Sequence, residues 1–575
     1  MERVRVTDVS MQPAGARRTG RLVSEAWLAR LGLLAVASFL AISVALPLYA
    51  LLSKSVEDEN KAYVGLANFV RFFDEPGLAV SVTNSIKVSF AAATITIVLA
   101  FLFSHALTRT AMPFKGLLKG AAMIPLLAPS LLPAIALIYY FGKQGVARVL
   151  LFGNDIYGPI GIVIGEVLYS FPHAVLMIST ALATADQRLY DAAVSLKASP
   201  WRIFWSVTLP GCRYGLISAY LAVFTLIFTD FGVPSVVGGS YPVLATEIYK
   251  QVVGRFDFEM GAVVGVFLLL PAVFSFTVDR LIQQRQSAMV TAAAVPLTIK
   301  PNRWRDGLAL AFAAAIGLVM IAVIGMAAFA SFIKFWPYNL TLTLKNYNFP
   351  AIDSTGWYVY TNTLLLAAST ACVGAAIVFL GAYLIEKTRQ DAVLRNFTQL
   401  LCMLPLAVPG IVLGLAYIFF FNNPGNPLHF TYGTMTILVL CTIAHFYTVP
   451  HMTALTALKQ LDREFESVGA SLRVPFHVTL RRVTIPVCLP ALLDIWVYLF
   501  INAATTVSAV VFLYSAQTKL ASITIVHWND SGRLAPAAAL GTVLFATSCG
   551  VWLLQAVLSR GLLKRTQAWR RRNQD

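Results

Sequence analysis

Little of this chain is charged, and the usual signatures of soluble chemistry are missing. Asp, Glu, Lys and Arg make up 12% of the 575 residues, against 58% hydrophobic. A soluble domain cannot hide that much apolar surface, so the bulk of the chain belongs in lipid. No soluble catalytic domain of ordinary size fits between the hydrophobic runs, and no long Ser/Gly/Pro linker appears. The six cysteines (Cys212, Cys372, Cys402, Cys441, Cys488, Cys549) include no CxxC pair. Neither a disulfide framework nor a zinc site is suggested, and they read as small packing residues. The seven histidines are scattered, which argues against a membrane enzyme with clustered acid–base or metal ligands. No GxxxxGK[ST] occurs, so the chain cannot cradle ATP phosphates by the usual loop. No cofactor is expected.

What is present is hydrophobic length. Twelve stretches can cross a bilayer of roughly 30 Å. They lie near 31–53, 84–108, 117–141, 157–182, 212–238 and 260–282, then 307–333, 359–385, 396–421, 432–457, 487–513 and 536–560. The polar, arginine-rich first 30 residues precede a run without a clear cleavage site, read as a retained first span. The net charge of +17 sits in short clusters beside spans, which fits membrane orientation rather than nucleic acid. With the N-terminus inside, most of the 44 Lys and Arg fall in cytoplasmic segments, including Arg303 and Arg305 at mid-chain and Arg570, Arg571 and Arg572 at the end. Both termini are therefore expected in the cytoplasm. Glu57, Asp58, Glu59, Asp74 and Glu75 fall in the first outside loop.

The two halves repeat. "TNSIKVSFAAATITIVLAFLFSHALTRT" (83–110) aligns with "TNTLLLAASTACVGAAIVFLGAYLIEKT" (361–388), and "IPLLAPSLLPAIAL" (124–137) with "LPLAVPGIVLGLAY" (404–417). Six spans per repeat is an even number, so both copies enter the bilayer the same way up. The expected organisation is a cytoplasmic tail (1–30), a first half (31–285), a linker (286–306), a second half (307–560) and a basic tail (561–575). A pathway then lies between the halves.

Two polar stretches recur at equivalent places: "YDAAVSLKASPWRIFWSVTLP" (190–210) and "FESVGASLRVPFHVTLRRVTIP" (465–486). In the first, Leu189, Ala192, Ala193 and Leu196 fall on one helical stripe. Ser199 is a plausible N-cap, Pro200 suits a first helical turn, and Leu209-Pro210 would end a second short piece. The picture is helix, sharp turn, helix, lying under the membrane. Headgroup anchoring explains one such loop but does not require a matched pair.

The pattern resembles the EAA loop of ABC-importer permeases: an acid, two small residues, Ser-Leu-Gly, an aromatic or aliphatic residue, then Leu-Pro. Asp191, Ala192, Ala193, Ser195, Leu196, Phe204, Val207, Leu209 and Pro210 match it in loop 186–210. Glu466, Gly469, Ser471, Leu472, Leu480, Val483, Ile485 and Pro486 match it in loop 462–486. Lys197 and Arg473 stand where the family has its bend glycine, which suggests either a regular helical turn or a charge contact with the ATPase. The resemblance covers nearly the whole chain and implies an all-α polytopic membrane protein with about 12 transmembrane helices as two parallel six-helix repeats, the type I importer permease fold. It implies ATPase coupling through both loops, a cytoplasmic ATP-binding cassette dimer and an external substrate-binding protein as partners, and the bacterial inner membrane as location. Fused halves look like the iron(III)/thiamine/phosphonate-type importers. The segment 228–272 looks most like 2-aminoethylphosphonate permeases, which makes a phosphonate the expected substrate, with iron(III), thiamine or polyamine permeases and an ion-coupled secondary transporter as alternatives.

Glu166, Asp230 and Asp494 lie in or at the edge of spans, where charge is expensive and faces protein or water. Asp230, in "TDFGVP", is the candidate pathway acid, with Thr505 and Thr506 at the corresponding place in the second half; a structural Asp capping a broken helix is the plainer reading. Pro172-His173 and Pro450-His451 read as kinks with satisfied imidazoles. Glu247 and Lys250 are spaced as an ordinary i,i+3 pair.

Overall fold

The computed structural model describes residues 16–183, 185–287, 295, 297–387, 391–461, 471–472 and 474–566. Among them the chain is almost wholly helical, with one two-stranded hairpin, Ile333–Phe335 paired with Asn339–Leu342. Eight helices are long and apolar enough to cross a membrane, from Trp27–Lys54 to Leu534–Gly561. Four bent helix pairs raise the number to 12 if each is one span. The chain is a polytopic α-helical membrane protein.

The bends adjust several expected spans. Span 117–141 is two helices, Lys115–Leu127 and Leu131–Phe141, meeting at 102°, and its repeat partner, Ala392–Ala407 with Gly410–Phe421, meets at 114°. Pro125 and Pro129, like Pro405 and Pro409, sit at those corners. A proline removes a backbone donor and clashes with the preceding turn, so the paired prolines of the repeat are paired corners. Span 212–238 is displaced: the helix runs Pro200–Phe228, and 229–243 holds only the short helix Gly232–Val237.

The halves are interlocked. The first helix, Trp27–Lys54, packs on second-half helices, including Gly410–Phe421, Ala392–Met403 and Tyr358–Lys387. Gly381 there faces Val36 and the Tyr447 hydroxyl. Conversely Arg303–Ser331, first helix of the second half, packs on Lys115–Met123 and Leu131–Phe141. Tyr140 donates to the Ala322 carbonyl across this seam at 3.0 Å. Because lipid supplies no hydrophobic drive between helices, such seams rest on close packing and hydrogen bonds.

The repeated "TNS" and "TNT" triplets have one job in both halves. Asn84 donates to the Pro242 carbonyl at 3.0 Å and the Ser85 hydroxyl accepts from Leu244 N–H at 2.8 Å. Asn362 donates to the Gln517 and Lys519 carbonyls at 2.9 and 3.1 Å, and Thr363 accepts from Ala521 N–H at 2.8 Å. Each triplet thus ties a long helix to the start of a short one, Leu244–Tyr249 or Ala521–Asp530. These groups are buried, and a buried donor left unmade costs about 1–3 kcal/mol. Thr363→Val is expected to destabilise the detergent-solubilised protein by about that amount, read as a lower melting temperature. Thr361→Val, whose exposed hydroxyl only serves the Tyr358 carbonyl, should melt close to wild type.

Candidate functional site

The first loop builds as a capped helix, a bend and a second helix. Asp186 caps Gln187–Ser195 by accepting from Arg188 N–H at 3.1 Å. Gln187 donates to Asp191 at 2.6 Å. The helix closes with Lys197 N–H on the Val194 carbonyl and Ala198 N–H on the Ala193 carbonyl, at 2.9 and 3.0 Å. That pair of bonds is the Schellman motif, which needs a left-handed residue between them. Lys197 is that residue, with φ +55°. Of the two readings of Lys197, the regular helical turn is therefore overturned: the lysine adopts the bend that glycine usually supplies, at a cost of about 1–2 kcal/mol. Ser199 then caps the next helix through Arg202 N–H at 3.3 Å, with Pro200 at its first position.

That second helix does not stop at Leu209-Pro210 as expected. Phe204–Thr208 is a π turn, with Leu209 N–H on the Phe204 carbonyl, and the chain continues to Phe228. Leu480–Thr484 is the same π turn before Ile485-Pro486. Widening the turn before a proline relieves the clash of its ring with the preceding carbonyls. Of the remaining second-loop residues, Glu466, Gly469 and Arg473 lie outside the described residues; Leu480 is half-buried, and Pro486, like Pro210, is exposed.

The loop faces differ in what they expose. The Tyr190 hydroxyl bonds that of Thr208 at 3.0 Å, and Arg109 lies over the Tyr190 ring, fastening the first short helix to the bundle. Phe204 packs near Phe101, His105 and Trp201. Ala193 is half-buried, whereas Asp191, Ala192 and Lys197 are exposed. Leu196 is 83% exposed and Leu472 70%. The linker also touches this loop: Gln187 N–H bonds the Val295 carbonyl at 3.0 Å and Gln187 Oε1 accepts from Thr298 N–H at 2.9 Å.

A second feature lies inside the bundle. Four breaks in helical structure, near 128–130, 229–231, 408–409 and 506–508, surround a cavity of about 530 Å³ lined by both halves. Irregular backbone is tolerated at membrane depth only where it faces protein or a watery cavity. Asp230, Thr505 and Thr506, singled out from sequence, all line it. Asp230 also accepts from Val233 N–H at 2.8 Å, so it caps the broken helix as the plainer reading had it. The Glu166 carboxyl lies beside that of Asp230. Glu166 was visible in the sequence as a costly charge; its neighbour was not, because the two lie far apart in the chain. Asp494 is elsewhere, bonded to Gln555. His173 lines the cavity, but His451 is buried beside Gln399 at 3.2 Å; the cavity's second imidazole is His445. The repeated Pro-His pairs are thus not equivalent. Glu247 and Lys250 do form the ordinary pair, at 2.7 Å.

At the end of the bundle away from the loops, Phe231 and Tyr249 of the first half meet Phe512 of the second, with ring centroids 5.3 and 6.1 Å apart. Nearby loops of that end are tied by Lys519 and Asp353 at 3.4 Å. The Thr355 N–H, with Lys519 adding its charge, holds the Asp353 carboxyl below the usual carboxylate range.

A repeated helical bundle with a cavity lined by both halves, and an exposed capped helix in its first loop, is consistent with a membrane permease. Residues 92–288 match the family described as binding-protein-dependent transport system inner membrane component. The chain is 29% identical over 466 residues to the ferric transport system permease FbpB 1 of Haemophilus influenzae, covering 79% of this chain and 72% of that one. It is 28% identical over 498 residues to the ferric transport system permease FbpB of Actinobacillus pleuropneumoniae, covering 84% and 72%. A shorter similarity, 28% over 193 residues, links it to a spermidine/putrescine permease PotC homolog of Mycoplasma genitalium, covering 34% and 64%. The chain is a permease of a binding-protein-dependent ABC importer, a transporter component and not an enzyme.

Lys197→Gly is expected to keep the bend and stabilise the first loop by about 1 kcal/mol. Hydrogen exchange at amides 187–199 should slow accordingly, whereas Lys197→Val should speed it.

Proposed function

We propose that this chain is the membrane subunit of an ATP-driven importer for iron(III). The observation that carries the substrate is the similarity to two ferric permeases over about four-fifths of the chain. The 2-aminoethylphosphonate reading rests on segment 228–272 alone and has no counterpart among those relatives, so iron(III), first held as an alternative, is preferred.

The loop end of the bundle faces the cytoplasm in this reading, because the Lys and Arg clusters gather there. Asp191, Ala192, Ala193, Leu196, Lys197, Pro200, Phe204 and Pro210 of the first loop, with Glu466, Gly469, Leu472, Arg473, Leu480 and Pro486 of the second, form the two docking elements for a separate ATPase dimer. Exposed Leu196 and Leu472 are the apolar anchors. ATP draws the ATPase subunits together, the loops follow, and the halves rock about the cavity, whose candidate pathway residues are Asp230, Thr505 and Thr506. An external binding protein delivers cargo at the opposite end, where the Phe231–Tyr249–Phe512 contact must part to admit it.

Two measurements test this. Cells carrying the chain and its ATPase should accumulate radiolabelled iron supplied as ferric citrate, with no comparable gain for labelled 2-aminoethylphosphonate; the reverse pattern would restore the phosphonate reading. Leu196→Asp or Leu472→Asp should abolish ATP-driven uptake at normal membrane levels, since each places a charge where an apolar anchor meets its groove. An ATPase partner unable to hydrolyse ATP should stop uptake as well; continued uptake would favour an ion-coupled secondary transporter.

A further inference from the structure

The cavity wall is negative. Its charged lining residues, among those described, are Asp230 and Asp279, with no lysine or arginine. Glu166, behind Asp230, is fully buried, and no donor reaches either of its carboxyl oxygens. It shares a stripe of the helix Pro159–Ala183 with Tyr169, His173 and Met177, all of which line the cavity.

Helix capping accounts for Asp230, which holds Val233 N–H. It does not account for Glu166, which bonds no backbone group and fixes no helix end. An unpartnered buried carboxyl is costly and needs a reason to be there. Two carboxyls in contact away from water repel when both are ionised, so a positive charge must lie between them. A proton can play that part; so can a hard cation, for which carboxylate oxygens are the preferred ligands.

We propose that Glu166 and Asp230 form a transit site for a hard trivalent cation, which displaces the proton they share and bridges the two carboxyls as it crosses the cavity. The proposal rests on the iron(III) reading and deepens it by placing the cargo on named oxygens. Among the described residues no three His, Cys, Asp or Glu side chains converge as a metal cage. Two carboxyls hold a cation loosely, and a transport site must release what it binds. The same wall repels phosphonates and other anions.

The test uses the full chain in detergent with terbium(III) chloride, a hard trivalent ion whose emission is sensitised by nearby tyrosines such as Tyr169 and Tyr498 of this wall. Saturable emission that falls at least fivefold in Glu166→Gln/Asp230→Asn supports the site; identical titrations of wild type and double variant overturn it. In reconstituted complex, Glu166→Gln should lower radiolabelled iron uptake at least tenfold with the melting temperature unchanged. If Glu166→Gln lowers the melting temperature, Glu166→Asp decides: a site predicts that terbium binding survives this change, and its loss at normal folding overturns the proposal. Wild-type complex that imports no iron but binds terbium through these carboxyls would sink the iron reading while supporting the cation site. Normal iron import with unaltered terbium binding in the variants would do the opposite.

Discussion

Every backbone N–H and C=O in the hydrocarbon core must find a partner inside the protein. That constraint organises this molecule. Long helices satisfy it without help, so most of the chain is helix. Breaks are permitted only where protein or water faces them, and the described breaks between 128 and 130, 229 and 231, 408 and 409, and 506 and 508 ring one cavity. The short helices beyond the breaks would expose their first N–H groups, and the Ser85 and Thr363 hydroxyls answer two of these. The cavity is therefore a consequence of where the chain could afford to stop being helical.

The same constraint says why the first loop can be so unlike its surroundings. Outside lipid its backbone groups meet water, and a bend costs little. There the Schellman bonds from Lys197 and Ala198 dictate a left-handed residue whatever the side chain is. Where the chain stays helical through a proline the ring must be accommodated, and Pro210 and Pro486 are each preceded by a π turn.

Much of this was legible in the sequence, because periodicity and repetition are local. The span count, the repeat, the Ser199 cap and Pro200 followed from residue type and spacing. Paired prolines were visible in both halves, but the angles they set, 102° and 114°, depend on packing and were not. The bend at Lys197 is not legible from residue type, because the hydrogen bonds of the helix end set its φ. Asp230 stands out for its cost in lipid and Thr505 and Thr506 as the residues at its place in the second half, and all three line one cavity. The contact of Glu166 with Asp230, and the aromatic contact of Phe231, Tyr249 and Phe512, join residues far apart in the chain. No periodicity reports such pairs.

The exchange of first helices has a bearing on how the protein is made. Gly32 packs on Leu384 and Val36 on Gly381, so the first span to enter the membrane waits for about 350 residues of later chain before its seat exists. At roughly 5–20 residues per second of synthesis, that wait is on the order of 20–70 s. During it the helix Trp27–Lys54 can gain first-half neighbours such as Phe258–Ser287, but its second-half seat is missing. The two halves therefore cannot mature one after the other: fusion in one polypeptide guarantees that the partner each needs is always the next thing the ribosome delivers.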